Sequence, residues 1–570
     1  MKILQVSTYD LQGGAAIAAY RLHRGLRAMG EDCRMLVRHK SSADETVLRV
    51  LSQDQPVPED EDFFLRTVIQ SQHIDSHRTE ISNTLFTLPY PGDDLAGSTL
   101  FREADLVNLH WVAGYQSPIT VQKLWQQGEP VVWTLHDQWA FTGGCHYSAG
   151  CLKYRSDCLS CPQLADDPWD VPAAVLRDKL TLWARANLTI VTPSRWLAAC
   201  ARESALFREL RIEVIPNSLD TEFFTPFPKE DAKRDLGLPP DAATLLFGAE
   251  EGSEKRKGFR ELLAAMHHAL AMPEFRSLLE RERLKILCFG HPDPTLRDEG
   301  LPVVALGYLG SPERIRTAYS AADQFVLPSL EDNLPNTMLE ALSCGTPVVA
   351  FAAGGIPEVV FDGVNGRLAP VGDSQELARS ISSLIFRPEE SKSMGRNGRR
   401  LMVEEYSPPI QARRYKRLYQ DLCEGHEPRK APIPGKEAVD IPPTEVAGSA
   451  DILRVPLETA LGPHLQAILN PVLFRALKRY APSLYRQWLD AEADRAARLE
   501  VIHRFGQRID ELNRQVNDLN GPMGEWQRNF LRILRKLHLL PSPRWKGAPA
   551  QTVGNSEAPL NPESPKKRAT

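Results

Sequence analysis

Two adjacent cations stand where a strand-like run of the sequence gives way to a helical pattern. The segment reads FGAEEGSEKRKGFRELL and places Arg256 and Lys257 directly before Gly258. The first turn of a helix leaves backbone N–H groups without partners, and these groups attract anions. Two cations beside such a turn provide what a diphosphate needs, because charge and N–H groups converge on it. The alternative is a basic turn that is merely solvated.

Two carboxylates eight residues apart mark a second candidate site. They are Asp332 and Glu340, in the segment PSLEDNLPNTMLEALSCGTPVVA that follows an apolar run. We expect Asp332 to lie on a turn and a helix to start at Asn336 or Thr337. Glu340 then falls in the first turn of this helix and faces a cleft rather than solvent. A carboxylate there can accept two hydrogen bonds from a ribose diol, as the acidic residue of dinucleotide folds does.

Histidines end two further strand-like runs. His136 and Asp137 follow the run VVWTL, and His110 and Trp111 follow LVNL. A histidine at a strand end can hydrogen-bond sugar hydroxyls, and we expect the carboxylate of Asp137 to orient the imidazole of His136. For His110 and Trp111 two interpretations stay open: contact with an acceptor, or a packed aromatic ring beside a satisfied histidine.

Two glycine pairs allow close approach to the backbone. Gly13 and Gly14 precede a helical pattern after the first strand-like run, and Gly354 and Gly355 follow a later run. Residues without a side chain let an anion or a hydroxyl reach the N–H groups of a helix. A tight turn that binds no ligand explains the first pair equally well.

Four cysteines fall within 17 residues, with the spacing C-x5-C-x6-C-x2-C. They are Cys145, Cys151, Cys158 and Cys161. Four thiolates satisfy a closed tetrahedral zinc site. We therefore expect structural zinc or another structural bridge, with disulfides and plain buried thiols as the alternatives. The cluster offers no open position of the kind that a catalytic metal needs.

All these residues require elements that bring strand ends together. Residues 1–220 alternate helical patterns with KILQVS, RMLVRH, LVNLHW, VVWTLH, LTIVTPS and IEVIPNS. Residues 221–405 restart the alternation with ATLLFGA, LKILCFG, PVVALGYLG, QFVLPS and PVVAFA. This alternation predicts an α/β fold of two Rossmann-like, doubly wound parallel sheets that face a cleft. Ligands of such sheets bind beyond the carboxyl ends of the strands, where the candidate residues stand.

The C-terminal part of the chain has a different character. Residues 406–424 predict a helix that returns to the N-terminal domain, and the prolines of residues 425–481 predict a linker. Residues 482–541 predict a helical or coiled-coil extension, and residues 542–570 a disordered tail.

Two stretches of the extension carry apolar faces. Residues 499–519 form a seam with mostly 3–4 spacing, which favours either a coiled coil that makes an oligomer or a helix docked on the main body. Residues 523–540 combine an apolar face with a basic rim. Such a helix either lies on an anionic membrane surface or packs on protein.

Composition narrows the partners and the compartment. The 570 residues carry a formal net charge of −5, which gives no reason to expect nucleic acid as a partner. No apolar run approaches the length of a spanning helix, and the N-terminal residues MKILQVSTYD lack the apolar region of a signal peptide. We expect a cytoplasmic protein, which the helix at residues 523–540 would bring to the inner face of the cell membrane.

Together these motifs resemble the retaining glycosyltransferases of the GT-B fold, specifically family 4. The resemblance covers about residues 1–424, and its most specific parts are RKGF, PSLEDNLPNTMLEALSCGTPVVA with GGIPEVV, and TLHDQWAFTGGCHYSAGC with CLSCPQL. The last part is similar to a subgroup from bacterial surface-polysaccharide biosynthesis. The resemblance implies transfer of a sugar from a UDP- or GDP-sugar to a glycan or lipid-linked acceptor, with no cofactor in the chemical step.

The resemblance also implies roles for the candidate residues. Arg256 and Lys257 match the residues that hold the donor diphosphate and stabilise the departing nucleotide. Glu340 matches the glutamate that binds the ribose hydroxyls, and His136 matches the histidine that faces the donor sugar. We expect a front-face transfer, because no pair of carboxylates suits a double displacement.

Further positions near the donor follow from the same comparison. Asn333, Leu334 and Pro335 would offer backbone contacts to the sugar. Gly13 and Gly14 match the glycine loop near the phosphate and the acceptor.

The sequence departs from the family pattern at two positions. Asp332 replaces the first glutamate of the family's E-x7-E signature, and Glu331 is one residue out of register. Gly252 stands where the family has an arginine, and Arg256 is the substitute by position and charge.

Two other functions stay open. One is a different enzyme on the same fold, either a nucleotide-sugar epimerase or a phosphorylase, of which the latter needs a lysine that binds pyridoxal phosphate. The other is a non-catalytic scaffold that assembles through the C-terminal extension.

Overall fold

The computed structural model describes residues 1–49, 74–82, 85–89, 92–167, 170–183, 186–249, 254–290 and 300–425. The predictions for the linker beyond residue 425, the helical extension with its stretches 499–519 and 523–540, and the tail fall outside these ranges. Among the helices of the described ranges, none has both the length and the apolar character needed to cross a membrane.

The first sheet is built from the N-terminal part of the chain. Its strands are β1 (Lys2–Tyr9), β2 (Asp32–His39), β3 (Val47–Arg49), β4 (Leu106–Leu109), β5 (Val131–Thr134), β6 (Leu188–Thr192) and β7 (Arg211–Val214). Within the described residues their order is β3-β2-β1-β4-β5-β6-β7, and neighbouring strands are parallel. The central strands β4, β5 and β6 are buried along their whole length, as expected where helices cover both faces of a parallel sheet.

Five helices of the described residues accompany this sheet. They are α1 (Gly14–Ala28), α2 (Thr99–Glu103), α3 (Pro118–Gln126), α4 (Val171–Trp183) and α5 (Arg195–Glu203). Ser117 caps α3 and Ser194 caps α5, and each hydroxyl accepts from a backbone N–H of the first helical turn.

The second sheet repeats the pattern. Its strands are β8 (Ala243–Ala249), β9 (Leu284–Gly290), β10 (Val303–Gly307), β11 (Gln324–Leu327), β12 (Val348–Phe351) and β13 (Gly366–Ala369). In the described part of the chain they pair in parallel in the order β10-β9-β8-β11-β12-β13. The prediction of two doubly wound parallel sheets is confirmed, although the short strands β3 and β13 were not predicted.

Seven described helices belong to the second half. They are α6 (Lys229–Asp235), α7 (Phe259–Leu270), α8 (Pro273–Glu280), α9 (Pro312–Ala321), α10 (Asn336–Ser343), α11 (Ser374–Ile385) and α12 (Pro388–Glu405). Helix α10 begins at Asn336, where the sequence predicted a helix start. Glu340 is its fifth residue and therefore lies just beyond the first turn that we expected for it.

The last described helix, α13 (Pro408–Glu424), packs on the first sheet's domain. It joins an apolar cluster with Leu22 and Leu26 of α1. The hydroxyls of Tyr415 and Tyr419 reach Thr134 and Asn108 at distances of 3.1 and 2.8 Å. The chain thus leaves the second sheet and ends its described part against the first.

Each sheet reverses its strand order at one place, between β1 and β4 in the first sheet and between β8 and β11 in the second. Open α/β sheets bind ligands at such switch points. The loops that leave these four strands lead to Gly13, His110, Arg256 and Asp332. The topology therefore brings together candidate residues that lie far apart in the sequence.

Candidate functional site

The two cations occupy a tight turn at the start of α7. Arg256 and Lys257 belong to the 3₁₀ turn Lys255–Lys257, and Gly258 follows with a left-handed φ of 70°. A Cβ atom on Gly258 would overlap the carbonyl oxygen of Pro328, at the end of β11. The glycine therefore lets the cationic turn pack directly against the strand end that leads to Asp332.

Asp332 is the centre of an ionic cluster. Its Oδ2 atom lies 2.7 Å from Lys257 Nζ and 3.2 Å from Arg256 Nη1. The residue is only 5% exposed, and Oδ1 accepts the backbone N–H of Asn333 at 3.0 Å. Burial alone would raise the pKa of Asp332, but the charges of Lys257 and Arg256 outweigh it and lower the pKa to about 2.

Arg256 is held by a second carboxylate as well. Its Nε and Nη2 atoms donate to the two oxygens of Glu254 at 2.8 and 3.1 Å. Its side chain is 11% exposed, which does not fit the alternative of a solvated basic turn. Two cations and two carboxylates balance one another in this cluster, and an added anion would meet charged groups that are already held in place by hydrogen bonds.

Glu331 points away from the ionic cluster. Its carboxylate accepts the backbone N–H of Ala149 at 3.0 Å and lies 3.5 Å from the hydroxyl of Ser148. Both partners belong to the cysteine-rich segment of the first domain. Of the two adjacent acids, Asp332 therefore faces the cations, and Glu331 joins the two domains.

The residues after Asp332 also contact the first domain. Asn333 donates from Nδ2 to the carbonyl of His136 at 3.0 Å and accepts from Ser194 Oγ at 2.5 Å. Leu334 is buried in the core of the second domain, and Pro335 directly precedes α10. The backbone contacts to a sugar that we predicted for these residues remain a prediction.

The glycine pair 354–355 shapes the same turn. Gly355 donates its N–H to the carbonyl of Asp332 at 3.1 Å. A Cβ atom on Gly354 or Gly355 would overlap the carbonyl oxygen of Asp332 or Asn333, respectively. The two glycines thus allow the backbone of residues 332–333 to come close, and this contact fixes the turn that carries Asp332.

Glu340 lies between the two domains. Its Oε1 atom is 2.6 Å from Nη2 of Arg21 on α1, and its Oε2 atom accepts from the hydroxyl of Tyr319 at 3.4 Å. One turn earlier on α10, Asn336 donates to the carbonyl of Gly14 at 2.8 Å. The first glycine pair therefore lies at the N-terminus of α1 and beside the start of α10, the helix that follows the turn of Asp332.

His136 pairs with another histidine rather than with its neighbour in sequence. Its Nε2 atom lies 3.1 Å from Nδ1 of His110. Burial lowers the pKa of His136 to about 4, against an opposing effect of Asp137. It lowers the pKa of His110 well below its ordinary value, and the charge of His136 adds to this shift. Both imidazoles are therefore neutral at neutral pH.

The prediction that Asp137 orients His136 was wrong. The Asp137 carboxylate engages Nδ1 of His146 at 2.7 Å and Nε1 of Trp111 at 2.8 Å. The backbone bends at His136 and Asp137, after the end of β5, and the carboxylate turns towards His146 instead of the His136 imidazole. Trp111 is thus a packed aromatic donor, while Nε2 of His110 is buried without a hydrogen-bond partner in the described residues.

The four cysteines line one small pocket as free thiols. Cys145 and Cys158 are buried, and Cys151 and Cys161 are half-buried. Burial raises the pKa of Cys158 to about 12 and that of Cys145 well above its ordinary value. In the parts of the chain that the structure covers, no three histidine, cysteine or acidic side chains are arranged to hold a metal ion. The predicted zinc is not supported, and no disulfide joins the four thiols.

A buried lysine, which the sequence did not predict, lies under the same segment. Lys179 of α4 donates from Nζ to the carbonyls of Trp139 and Thr142 at 2.6 and 2.9 Å, and it lies over the Trp139 ring. Burial lowers the pKa of Lys179 to about 7. The lysine fixes the path of the chain from His136 to the cysteines.

Residues 243–386, which include the ionic cluster and Glu340, match the family described as glycosyl transferases group 1. The chain is 31% identical over 235 residues to alpha-maltose-1-phosphate synthase of Mycobacterium tuberculosis, covering 37% of this chain and 57% of that protein. It is 32% identical over 199 residues to D-inositol 3-phosphate glycosyltransferase of Segniliparus rotundus, covering 33% and 42%. The chain therefore spans about half the length of these curated relatives.

Solved structures extend the likeness over both sheets. Sucrose-phosphate synthase of Thermosynechococcus elongatus superposes with a TM-score of 0.51 at 20% identity, covering 74% of this chain and 98% of that one. Anabaena HepE in complex with UDP-glucose superposes with a TM-score of 0.50 at 18% identity, covering 74% and 100%. These likenesses confirm the predicted two-domain α/β GT-B fold.

Proposed function

We propose that the protein is a retaining glycosyltransferase that moves a sugar from a nucleoside-diphosphate sugar to a glycan or lipid-linked acceptor. The observation that carries the proposal is the ionic cluster of Arg256, Lys257 and Asp332 at the switch point of the second sheet. The cluster lies in the segment that matches the group 1 glycosyl transferases. A relative of part of this chain bears the name of D-inositol 3-phosphate glycosyltransferase, and a protein of the same fold is solved in complex with UDP-glucose.

The donor diphosphate would bind at Arg256 and Lys257. Both cations lie directly before α7, whose first N–H groups add a positive potential. Lys257 now holds Asp332, so a phosphate would share or take over this ammonium. As the sugar leaves, negative charge grows on the β-phosphate, and fixed cations stabilise that charge most in the transition state.

The remaining donor contacts follow from the positions around this cluster. Glu340 would accept hydrogen bonds from the ribose once its contact with Arg21 is shared. His136 would face the sugar as a neutral imidazole, since its pKa is lowered to about 4 by burial. Asn333 holds the carbonyl of His136 and so couples the sugar end of the site to the turn that carries Asp332.

The finer assignment draws on the motifs of the sequence. These motifs favour family 4 and retention of the anomeric configuration. They also favour a UDP- or GDP-sugar donor and a role in surface-polysaccharide biosynthesis. A lipid-linked acceptor would place the enzyme at the inner face of the cell membrane. The first domain, which carries the Gly13–Gly14 loop beside α10, would supply the acceptor side of the site.

Specific observations weigh against the other candidate functions. The named relatives and neighbours are synthases and transferases, which favours transfer over epimerisation or phosphorolysis. A scaffold without catalysis would have no need for a nearly buried arginine beside a second cation at the end of a strand.

The test is nucleotide release from a panel of UDP- and GDP-sugars with membrane lipid extract as acceptor. Lys257→Ala should lower the rate by about 10²–10³-fold, since it removes one charged contact to the leaving group. Lys255→Ala is a matched control, because Lys255 lies in the same turn but donates to the carbonyl of Glu80. Release that survives both Lys257→Ala and Glu340→Ala would refute the assignment, and NMR of the product reports its anomeric configuration.

A further inference from the structure

Tyr147 reaches from the first domain into the ionic cluster of the second. It lies between Cys145 and Cys151 and is 6% exposed. Its ring stacks on Trp196 of α5 with a centroid distance of 6.3 Å and an interplanar angle of 16°. Gln163 donates to its carbonyl at 3.0 Å. The tyrosine is therefore fixed by its own domain before it meets the other one.

The ring and the hydroxyl of Tyr147 each contact one member of the cluster. The guanidinium carbon of Arg256 lies 4.3 Å from the ring centroid, a cation–π contact inside the protein. The hydroxyl donates to Oδ1 of Asp332 at 3.4 Å. Burial raises the pKa of Tyr147 well above its ordinary value, so the phenol stays neutral and keeps its proton for Asp332.

The backbone next to Tyr147 also contacts the loop after β11. Two residues after Tyr147, Ala149 adopts a φ of 51°, a left-handed conformation that is unfavourable for alanine. In this conformation its N–H reaches Glu331 at 3.0 Å. Residues 147–149 thus hold both acids that follow β11 and the arginine beside them.

The guanidinium of Arg256 is enclosed by three side chains. Glu254 binds one edge of its guanidinium, Asp332 binds another, and the Tyr147 ring covers its face. A guanidinium held on its edges and its face has little freedom to move when the charge on a phosphate changes. Such rigidity is what electrostatic stabilisation of a transition state requires.

We propose that Tyr147 is a positioning residue for the transfer reaction, one that acts through Arg256 and Asp332 without touching the donor. The proposal rests on the proposed function, since it assigns Arg256 to the leaving diphosphate. The tyrosine lies in the other domain from the cations it orders. Full alignment of the leaving-group site therefore depends on contact between the two domains.

The test separates the ring from the hydroxyl and from simple packing. Tyr147→Leu removes the aromatic face and should lower kcat by about 10²-fold, with the donor KM changed less than about threefold, because the lost alignment matters in the transition state. Tyr147→Phe keeps the face and should retain kcat within about threefold of the wild type. Tyr154→Leu is the matched control, since it removes a buried tyrosine of the same segment that packs on Phe141.

The NMR signal of Arg256 Nε–H gives a readout that does not need turnover. The Tyr147 ring should shift this signal in the wild type and in Tyr147→Phe, and Tyr147→Leu should abolish the shift. An equal loss of kcat in Tyr147→Leu and Tyr154→Leu, or an unchanged kcat in Tyr147→Leu, overturns the positioning role in an active enzyme. A wild type that shows the shifted signal but releases nucleotide from no donor overturns the proposed function instead.

Discussion

The guanidinium of Arg21 lies 2.6 Å from the carboxylate of Glu340 and joins α1 of the first domain to α10 of the second. Both side chains are largely buried, and Tyr319 approaches the other carboxylate oxygen at 3.4 Å. The residue that we propose for the donor ribose thus already has partners on both oxygens. A ribose diol must share Glu340 with Arg21 or displace it.

A double-mutant cycle should measure this contact between the domains. We expect Arg21→Ala and Glu340→Gln each to lower stability, and the double variant to lose less than the sum of the two. A coupling free energy of about 1–3 kcal/mol is expected for a contacting pair of this kind. Urea unfolding of the wild type, the two single variants and the double variant gives the coupling free energy. Strictly additive losses would show that the contact contributes no coupling free energy.

Acid should weaken the protein through Asp332. Its pKa is lowered from 3.8 to about 2 in the folded state, so the unfolded chain binds a proton first as the pH falls. The resulting stabilisation is complete above about pH 5 and is lost towards pH 2, with a size of about 2 kcal/mol. Unfolding measured at pH 6 and pH 3 should show a smaller acid loss in Asp332→Asn than in the wild type.

A control for this pH effect is Asp157→Asn, an exposed carboxylate of the first domain. This variant shows what the removal of a carboxylate outside the ionic cluster does. If Asp332→Asn loses as much stability between pH 6 and pH 3 as the wild type, the cations do not lower the pKa of Asp332 as the structure implies.

Much of the site follows from local sequence patterns. Apolar runs located eleven strands, and the rule that ligands bind beyond strand ends selected Arg256, Lys257, Asp332 and Glu340. The four residues follow β8 and β11, which are neighbouring strands of the second sheet. The strand predictions succeed because each depends on a local pattern within about 20 residues of chain. The binding roles of these four residues remain predictions.

The partners of these residues could not be read from the sequence. Arg21 and Tyr147 come from the other domain, and nothing in an isolated arginine or tyrosine signals a contact 319 or 185 residues away, respectively. The Asp137 error has a different origin. Adjacency in the sequence predicts that the carboxylate pairs with His136, whereas the bend of the backbone after β5 directs it to His146.

The cysteine cluster shows a third limit. Spacing alone cannot tell a zinc site from thiols that share a pocket, since only the directions of the side chains distinguish them. Here the four cysteines line one small pocket, and no disulfide joins them.

His136 should stay neutral throughout the physiological range. Its folded pKa of about 4 lies below the ordinary 6.5 because the imidazole is buried. The unfolded state therefore takes up a proton first, and stability falls as the pH drops from about 6.5 towards 4. NMR titration of the His136 ring should give a midpoint near 4. A His136 midpoint above about 6 would contradict the buried, neutral state.

Gly258 should tolerate no side chain. Alanine there must adopt a φ of 70° and overlap the carbonyl of Pro328, so Gly258→Ala should destabilise the second domain by about 3 kcal/mol. Gly237→Ala is the matched control: Gly237 has a φ of 68° in the same domain, with nothing within 4 Å of the added Cβ. It should lose only the cost of the left-handed backbone, about 1–2 kcal/mol.

The difference between these two glycine variants isolates the contact between the cationic turn and the end of β11. Since that contact sets the distance from Lys257 to Asp332, Gly258→Ala should also weaken UDP binding, while Gly237→Ala should leave it unchanged. Urea unfolding and calorimetric titration with UDP provide the two measurements. Equal destabilisation of both variants, with UDP affinity intact in both, would show that the close packing at Pro328 does not organise the donor site.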